Sequence, residues 1–215
     1  LGDEDEITLN SGAVVTTANG GDDNDIITAN DGTISNILGG EGADTITTAV
    51  NLQSVDGEGG SDTLAIISDA RTTWEITGSN TGNLSGDVDI NSFSRIENLT
   101  GGEGSDHFEF TQAGAYISGT INGGDPAVSG ETDGEENNNW NDESNDYVNL
   151  NVDPNTNIFE NGVIVLVDGV LTDDAIRSSL AEQVQGVDFN THQILRVENI
   201  ERVDAPVASD AIADA

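Results

Sequence analysis

The chain has no lysine, no cysteine and no methionine, and only 4% of its 215 residues are aromatic. Each absence excludes something. Without cysteine there is no disulfide framework and no thiolate metal site. Without lysine, the five cations are all arginine (Arg71, Arg95, Arg177, Arg196, Arg202), and they face 41 Asp and Glu for a formal charge of −36. Such a chain repels nucleic acid and anionic membrane surfaces at long range, so neither is an expected partner. No apolar run approaches the roughly 18 residues of a membrane span, and no charged n-region precedes an apolar h-region. The chain therefore reads as soluble, a processed piece of something longer, with no membrane insertion. It also lacks a nucleophile elbow, a zincin motif, a P-loop and a dinucleotide fingerprint, and among 41 acids no carboxylate pair stands out; no enzyme is expected.

Low hydrophobicity and high charge usually signal disorder. Here the glycines and aspartates are ordered along the chain instead. The pattern G-G-x-G-x-D-x-U-x, with U apolar, occurs complete at Gly39–Thr47 and at Gly101–Glu109. Near matches run Gly20–Thr28 and Gly57–Ala65; a truncated copy ends Asp5-Glu6-Ile7-Thr8, and a split copy begins Gly123-Gly124-Asp125 and resumes Asn145-Asp146-Tyr147-Val148. Chance supplies roughly 0.01 complete copies in such a chain, the check that any motif needs. Asp5, Asp25, Asp44 and Asp62 follow one another at steps of 20, 19 and 18. That step is one coil of a narrow solenoid with two short strands per coil, so these four should stack in a column. The step of 44 to Asp106 leaves room for two longer coils.

The chemistry follows from the spacing. A hard cation such as Ca²⁺ takes six to eight oxygens. Glycines let the backbone curl so that carbonyl oxygens converge, and the Asp adds a charged oxygen. One turn offers too few ligands and two stacked turns offer enough, so ions are expected between Asp5/Asp25, Asp25/Asp44 and Asp44/Asp62. Expected carboxylate ligands are Asp5, Asp25, Asp44, Asp62, Asp106 and Asp146. The turns around Gly20, Asp22, Gly39, Glu41, Gly57, Gly59, Gly101, Glu103, Gly123 and Asp125 would complete the sites. Carboxylates stacked at a strand spacing of about 5 Å repel by about 0.8 kcal/mol even at water's dielectric. A dication between them reverses the sign, so folding and the uptake of several Ca²⁺ ions are expected to be one linked event. Zinc and EF-hand sites are not expected: His107 and His192 are far apart in sequence, and no EF-hand loop is present. His107 is expected to point to solvent, and Arg95 and Arg196 to pair with carboxylates.

The U residues Ile7, Ile27, Ile46, Leu64, Phe108 and Val148 are expected to fill a thin core. Residues 1–125 read as solenoid coils, 126–144 as an acidic inserted loop holding Trp140, 145–204 as a second irregular β module, and 205–215 as a linker tail. One short helix is expected near 172–185, capped by Thr172 and ended by Gly186. The stretch Phe93-Ser94-Arg95-Ile96-Glu97-Asn98-Leu99 is echoed by Ile194-Leu195-Arg196-Val197-Glu198-Asn199-Ile200, which suggests two larger modules.

These nonapeptides resemble the RTX (repeats-in-toxin) calcium-binding repeats of secreted bacterial proteins, and Trp74–Gly124 resembles repeat arrays of very large bacterial adhesins and surface proteins. The resemblance implies an all-β fold, a parallel β-solenoid of the β-roll kind with some longer, irregular coils, export by a type I system, and folding by calcium outside the cell. With one motif per coil rather than two, ions should line one edge only. The expected role is a non-catalytic stalk, spacer or matrix segment, extracellular or cell-surface, whose partners are calcium, neighbouring repeats or further copies of itself. Two other roles are open: a module binding carbohydrate or ice through the ladder Thr8, Thr28, Thr47, and a calcium-dependent polysaccharide lyase.

Overall fold

In the computed structural model, residues 3–124, 147–149, 163–167, 193–198, 200, 202–204 and 212–214 are described. Among them the chain is all-β, without a helix, in two nine-stranded sheets that do not close into a barrel. The expected helix at 172–185, the 126–144 insertion with Trp140, and the 205–211 part of the tail lie outside the described residues.

The first seven strands alternate between the sheets. β1 (Glu6–Leu9), β3 (Ile26–Ala29), β5 (Thr45–Thr48) and β7 (Thr63–Ile66) pair in parallel in one sheet, hereafter the short-strand sheet. β2 (Val14–Asp22), β4 (Thr33–Glu41) and β6 (Ser54–Gly59) pair in parallel in the other. The Gly/Asp turns carry the chain from the long strands to the short ones. They can do so because the second and fourth turn positions take positive φ: Gly40 and Gly42 lie at 126° and 140°.

The register explains the core. Ile7, Ile27, Ile46 and Leu64 stand in one row, which continues through Leu99 of β11 (Asn98–Thr100), Ile121 of β13 (Thr120–Asn122) and Val197 of β16 (Gln193–Glu198). Facing it, Ala18, Ile37, Val55 and Phe93 form a second row. Burial at these inward positions is what an alternating strand pattern produces when one face is covered.

After β7 the regular winding breaks. β8 (Thr72–Gly78), β9 (Thr81–Gly86) and β10 (Ile90–Ser94) form an antiparallel meander that stays within the long-strand sheet. It brings in the large aromatics. Trp74 stacks on Phe108 of β12 (Asp106–Phe110) with ring centroids 5.5 Å apart and meets Phe93 edge-on at 6.1 Å. All three rings are fully buried. Phe108 and Val148 of β14 (Tyr147–Asn149) thus do not join the Ile7 row; in the opposite sheet Phe108 pairs with Trp74 on one side and with Val148 on the other. The Arg95 and Arg196 stretches also differ locally: Arg95 sits in a turn at φ 52°, Arg196 inside β16.

Candidate metal centre

The first four motif aspartates do stack. Each precedes a short strand at the same register, and each is tied to the next by a side-chain bond that sequence spacing did not specify. The Asp5 N–H donates to Asp25 Oδ1 at 2.7 Å, the Asp25 N–H to Asp44 Oδ1 at 2.8 Å, and the Asp44 N–H to Asp62 Oδ1 at 2.8 Å. The Asp62 N–H donates to Glu97 Oε2 at 2.9 Å. Glu97 therefore takes the fifth place in the column. Its signal was present in Glu97-Asn98-Leu99, an acid followed by any residue and an apolar strand residue, with Glu standing for Asp.

The second oxygens are the telling feature. Oδ2 of Asp25, Asp44 and Asp62 is buried and has no hydrogen-bond partner. Leaving such an atom unsatisfied costs about 1–3 kcal/mol, more when it is charged. All three lie against a glycine and a backbone carbonyl of the following coil. A β-carbon on Gly39 would collide with Asp44 Oδ2 and stand 2.8 Å from the Gly57 carbonyl oxygen. On Gly20 it would collide with Asp25 Oδ2 beside the Gly39 oxygen; on Gly57 it would collide with Asp62 Oδ2 and the Arg95 oxygen. Every hollow is thus lined by a carboxylate oxygen and a carbonyl, and only glycine leaves it open.

Burial is the first cause that raises the pKa of Asp44 and Asp62, with neighbouring carboxylates of the column adding to it; for Asp62 the value is about 6. Within the turns, Asp22, Glu41 and Gly59 occupy one register row, with Asp22 and Glu41 exposed. Glu58 and Asp23 hold positive φ of 67° and 76° where the complete motif has glycine. Beside the column, the Arg95 guanidinium pairs with Asp56 of β6 at 2.6 Å.

The fifth motif does not fall on the edge that carries the first four. Gly101–Ser105 leads from β11 in the short-strand sheet to β12 in the long-strand sheet, so it lies on the opposite edge from Asp25, Asp44 and Asp62. The reason is the break in winding: residues 67–71 and 95–97 make crossings without the motif, and the next Gly/Asp turn falls on the return crossing. Asp106 also differs in its partners. The Gly102 N–H donates to its Oδ2 at 2.7 Å, and the Thr72 hydroxyl and the Trp74 indole N–H (3.3 Å) both donate to its Oδ1. Burial raises its pKa. Here Gly101 lies against Asp106 Oδ2 and the Gly123 carbonyl, and the Glu103 N–H bonds the Ser68 carbonyl. Asp125 and Asp146 lie outside the described residues.

His107 does not point to solvent. It is buried, with Arg71 Nη2 at 2.6 Å from Nδ1 and Ser105 Oγ at 3.2 Å from Nε2. Arginine only donates, so Nδ1 accepts and the proton sits on Nε2. Desolvation, then the Arg71 charge, lowers the pKa of His107 to about 4. The ring keeps the neutral form beside a permanent cation. Arg71 and Arg95 stand on opposite edges, and Thr8, Thr28 and Thr47 share one register row that Ala65 interrupts.

No group of three or more His, Cys, Asp or Glu among the described residues is placed to share a metal ion. Any ion in the column would therefore take most of its ligands from backbone carbonyls, with few carboxylates. Comparison of the chain with family models, with curated proteins and with solved structures found no match.

Proposed function

We propose that this chain is a calcium-stabilised parallel β-solenoid module of the RTX kind, a non-catalytic spacer or matrix segment of a secreted or surface-attached protein. The observation that carries this is the set of three buried, unpartnered carboxylate oxygens on Asp25, Asp44 and Asp62, each in a glycine hollow beside a carbonyl. Hard oxygen donors with a low carboxylate count suit Ca²⁺, which accepts irregular sets of carbonyls; Mg²⁺ demands a tighter octahedron and keeps its waters. The residues that would hold ions are Asp25, Asp44 and Asp62 through Oδ2, with the carbonyls of Gly39, Gly57 and Arg95. Bound calcium supplies the positive charge that the column lacks.

The chain does the rest. The N–H to Oδ1 ladder fixes each carboxylate so that its second oxygen faces the hollow. An ion held there would join the carboxylate of one coil to the carbonyl of the next. At free calcium a hundredfold above its Kd, each site contributes about 2.7 kcal/mol to the folded state. The surface remains strongly acidic, which keeps a repeat array soluble and hydrated.

The test is circular dichroism and calorimetry on the full chain. Calcium is expected to raise β signal and Tm, with EGTA reversing both, and titration is expected to count about one ion per orphaned oxygen. A melting temperature indifferent to calcium and chelator would overturn the proposal.

A further inference from the structure

We infer that the turn Asp31-Gly32 is a site of spontaneous backbone isomerisation, at which the Gly32 amide nitrogen closes on the Asp31 side chain and aspartate becomes isoaspartate. Four Asp-Gly or Asn-Gly junctions lie among the described residues: Asn19-Gly20, Asp31-Gly32, Asp56-Gly57 and Asn122-Gly123. Each has the glycine that leaves ring closure unhindered. Only one has the geometry for it.

Three junctions are committed elsewhere. Ring closure needs the glycine nitrogen to turn toward the preceding side chain, and a backbone held in a ladder of hydrogen bonds cannot do so. Gly20 lies inside β2 and Gly57 inside β6, both buried against the hollows of Asp25 and Asp62. The Asp56 carboxylate is also occupied: Oδ2 meets Arg95, and Oδ1 accepts the Glu58 amide at 3.1 Å. The Gly123 amide donates to the Glu198 carbonyl at 2.9 Å.

Asp31-Gly32 differs on each count. It lies in the crossing from β3 to β4, on the edge opposite the aspartate column, and Asp31 is exposed. The Gly32 amide nitrogen sits 2.6 Å from Asp31 Oδ1, its one hydrogen bond among the described residues. The nitrogen and the carboxyl group it attacks are thus already side by side, the arrangement that makes an intramolecular step fast. Neighbouring bonds hold the turn in this form. The Asn30 and Asp31 amides meet the Leu9 carbonyl at 3.0 and 3.4 Å, and the Thr33 amide meets the Ala13 carbonyl at 2.8 Å. The fold also demands the glycine. Its φ is 104°, and a β-carbon there would stand 2.7 Å from the Ala13 carbonyl oxygen. A side chain that would slow the reaction is excluded from this position.

The chemistry needs only water. The bond from the Gly32 nitrogen to Asp31 Cγ forms as one carboxyl oxygen leaves as water, with the carboxyl proton and the amide proton, to give a succinimide. Water then opens the ring at either of its carbonyls. Opening at Cγ restores aspartate. Opening at the main-chain carbonyl routes the backbone through the side chain, which lengthens the turn by one carbon and leaves its charge unchanged.

This rests on the calcium reading only in that the calcium-loaded chain is folded. The full chain is kept in calcium and heavy-oxygen water at neutral pH, and the label is located by peptide mapping with fragmentation. Asp31 is expected to take up heavy oxygen roughly tenfold or more faster than Asp56, the same dipeptide in a strand. In Asp31→Asn, where ammonia leaves in place of water, conversion at position 31 is expected to outrun that at Asn19 by a similar factor. Equal rates in either comparison, in a chain whose circular dichroism shows β structure, overturn the inference. With EGTA, Asp56 is expected to rise toward the rate of Asp31 as the coils open. An Asp56 that stays slow in EGTA while Asp31 stays fast sustains the inference and defeats the calcium reading.

Discussion

The backbone N–H of Asp25 donates to Oδ1 of Asp44 across 2.8 Å, and Oδ2 of that same Asp44 has no donor at all. One carboxylate thus has two jobs of different chemistry. Oδ1 accepts a neutral hydrogen bond that an amide could also accept; Oδ2 carries charge toward a hollow. The two can be separated by substitution. Asp44→Asn is expected to keep the coil-to-coil bond and to lower the calcium count by one, with an apo Tm no lower than wild type. Asp44→Ala loses both functions and is expected to cost about 1–3 kcal/mol more. Glu41→Ala, at an exposed position, is expected to stay within about 0.5 kcal/mol. Equal calcium binding by Asp44→Asn and wild type would remove Oδ2 from the site.

Glycine supplies the second prediction. A methyl on Gly39 would occupy the hollow, colliding with Asp44 Oδ2. Gly39→Ala is expected to abolish calcium uptake at that rung and to cost about 1–3 kcal/mol, the range for overpacking a tight site. Gly78→Ala is the control, because a β-carbon there meets only the Thr81 side chain at 3.7 Å. Comparable losses of calcium in both variants would show that the effect comes from backbone stiffness and not from the filled hollow.

Much of this was legible in the letters, and the boundary of legibility has a physical cause. Asp5, Asp25, Asp44 and Asp62 could be aligned because their coils contain nothing but two strands and two turns, so sequence distance equals one circuit. The row Ile7, Ile27, Ile46, Leu64 follows from the same constancy. Beyond Asp62 the circuit length changes, because β8, β9 and β10 pair with one another instead of crossing. Counting residues then no longer identifies the edge, and the motif at Asp106, perfect in letters, lands on the opposite side. Its partners Thr72 and Trp74 come from the meander, and no local pattern announces them. His107 differs for the same reason: its alternation reads outward, but Arg71 arrives from a non-motif crossing and covers it.

Acidity separates the ion-free and ion-loaded chains. Without metal, Asp62 has a folded-state pKa of about 6 against an ordinary 3.8. Its contribution to stability is therefore full below pH 3.8 and vanishes as pH rises through 6. Acidifying the metal-free chain from pH 6 toward 4 is expected to gain stability through this residue. Calcium needs the carboxylate, so the same acidification is expected to weaken its binding. Melting curves of wild type and Asp62→Asn, with and without calcium, check this: the acid-induced gain should be missing from the metal-free variant. An identical pH slope in the two metal-free proteins would sink the assignment.

His107 titrates with the reverse sign. Its folded-state pKa is lowered to about 4 from 6.5, so the stability it carries is complete above pH 6.5 and is lost as pH falls toward 4. The cause is burial first and the Arg71 guanidinium at 2.6 Å second. An NMR titration of the ring protons in the calcium-loaded chain is expected to place the His107 midpoint far below that of an ordinary histidine. Arg71→Gln removes the charge but keeps a donor, and is expected to move the midpoint upward without freeing the ring. A midpoint near 6.5 in wild type would mean that the ring leaves this pocket in solution, and with it the closure of the second edge over Ser105 and Asp106.

Asp106 offers the sharpest contrast with Asp44, since the same motif carries both. Gly102, Thr72 and Trp74 supply three donors to Asp106, and so its charge is met by hydrogen bonds where Asp44 leaves an oxygen bare. Hydrogen bonding to the charged form lowers a carboxylate's pKa and opposes the rise caused by burial. Removing the indole donor shifts that balance. Trp74→Phe keeps an aromatic ring to stack on Phe108 but removes the indole N–H together with the second ring at a fully buried position. It is expected to cost at least about 1–3 kcal/mol, the penalty of a buried acceptor losing a partner plus that of the cavity left behind, equally with and without calcium. Asp44→Asn, by contrast, is expected to lose stability only when calcium is present. If Trp74→Phe instead lowers the number of calcium ions bound, the donors around Asp106 position an ion, and the second edge belongs to the metal-binding surface as well.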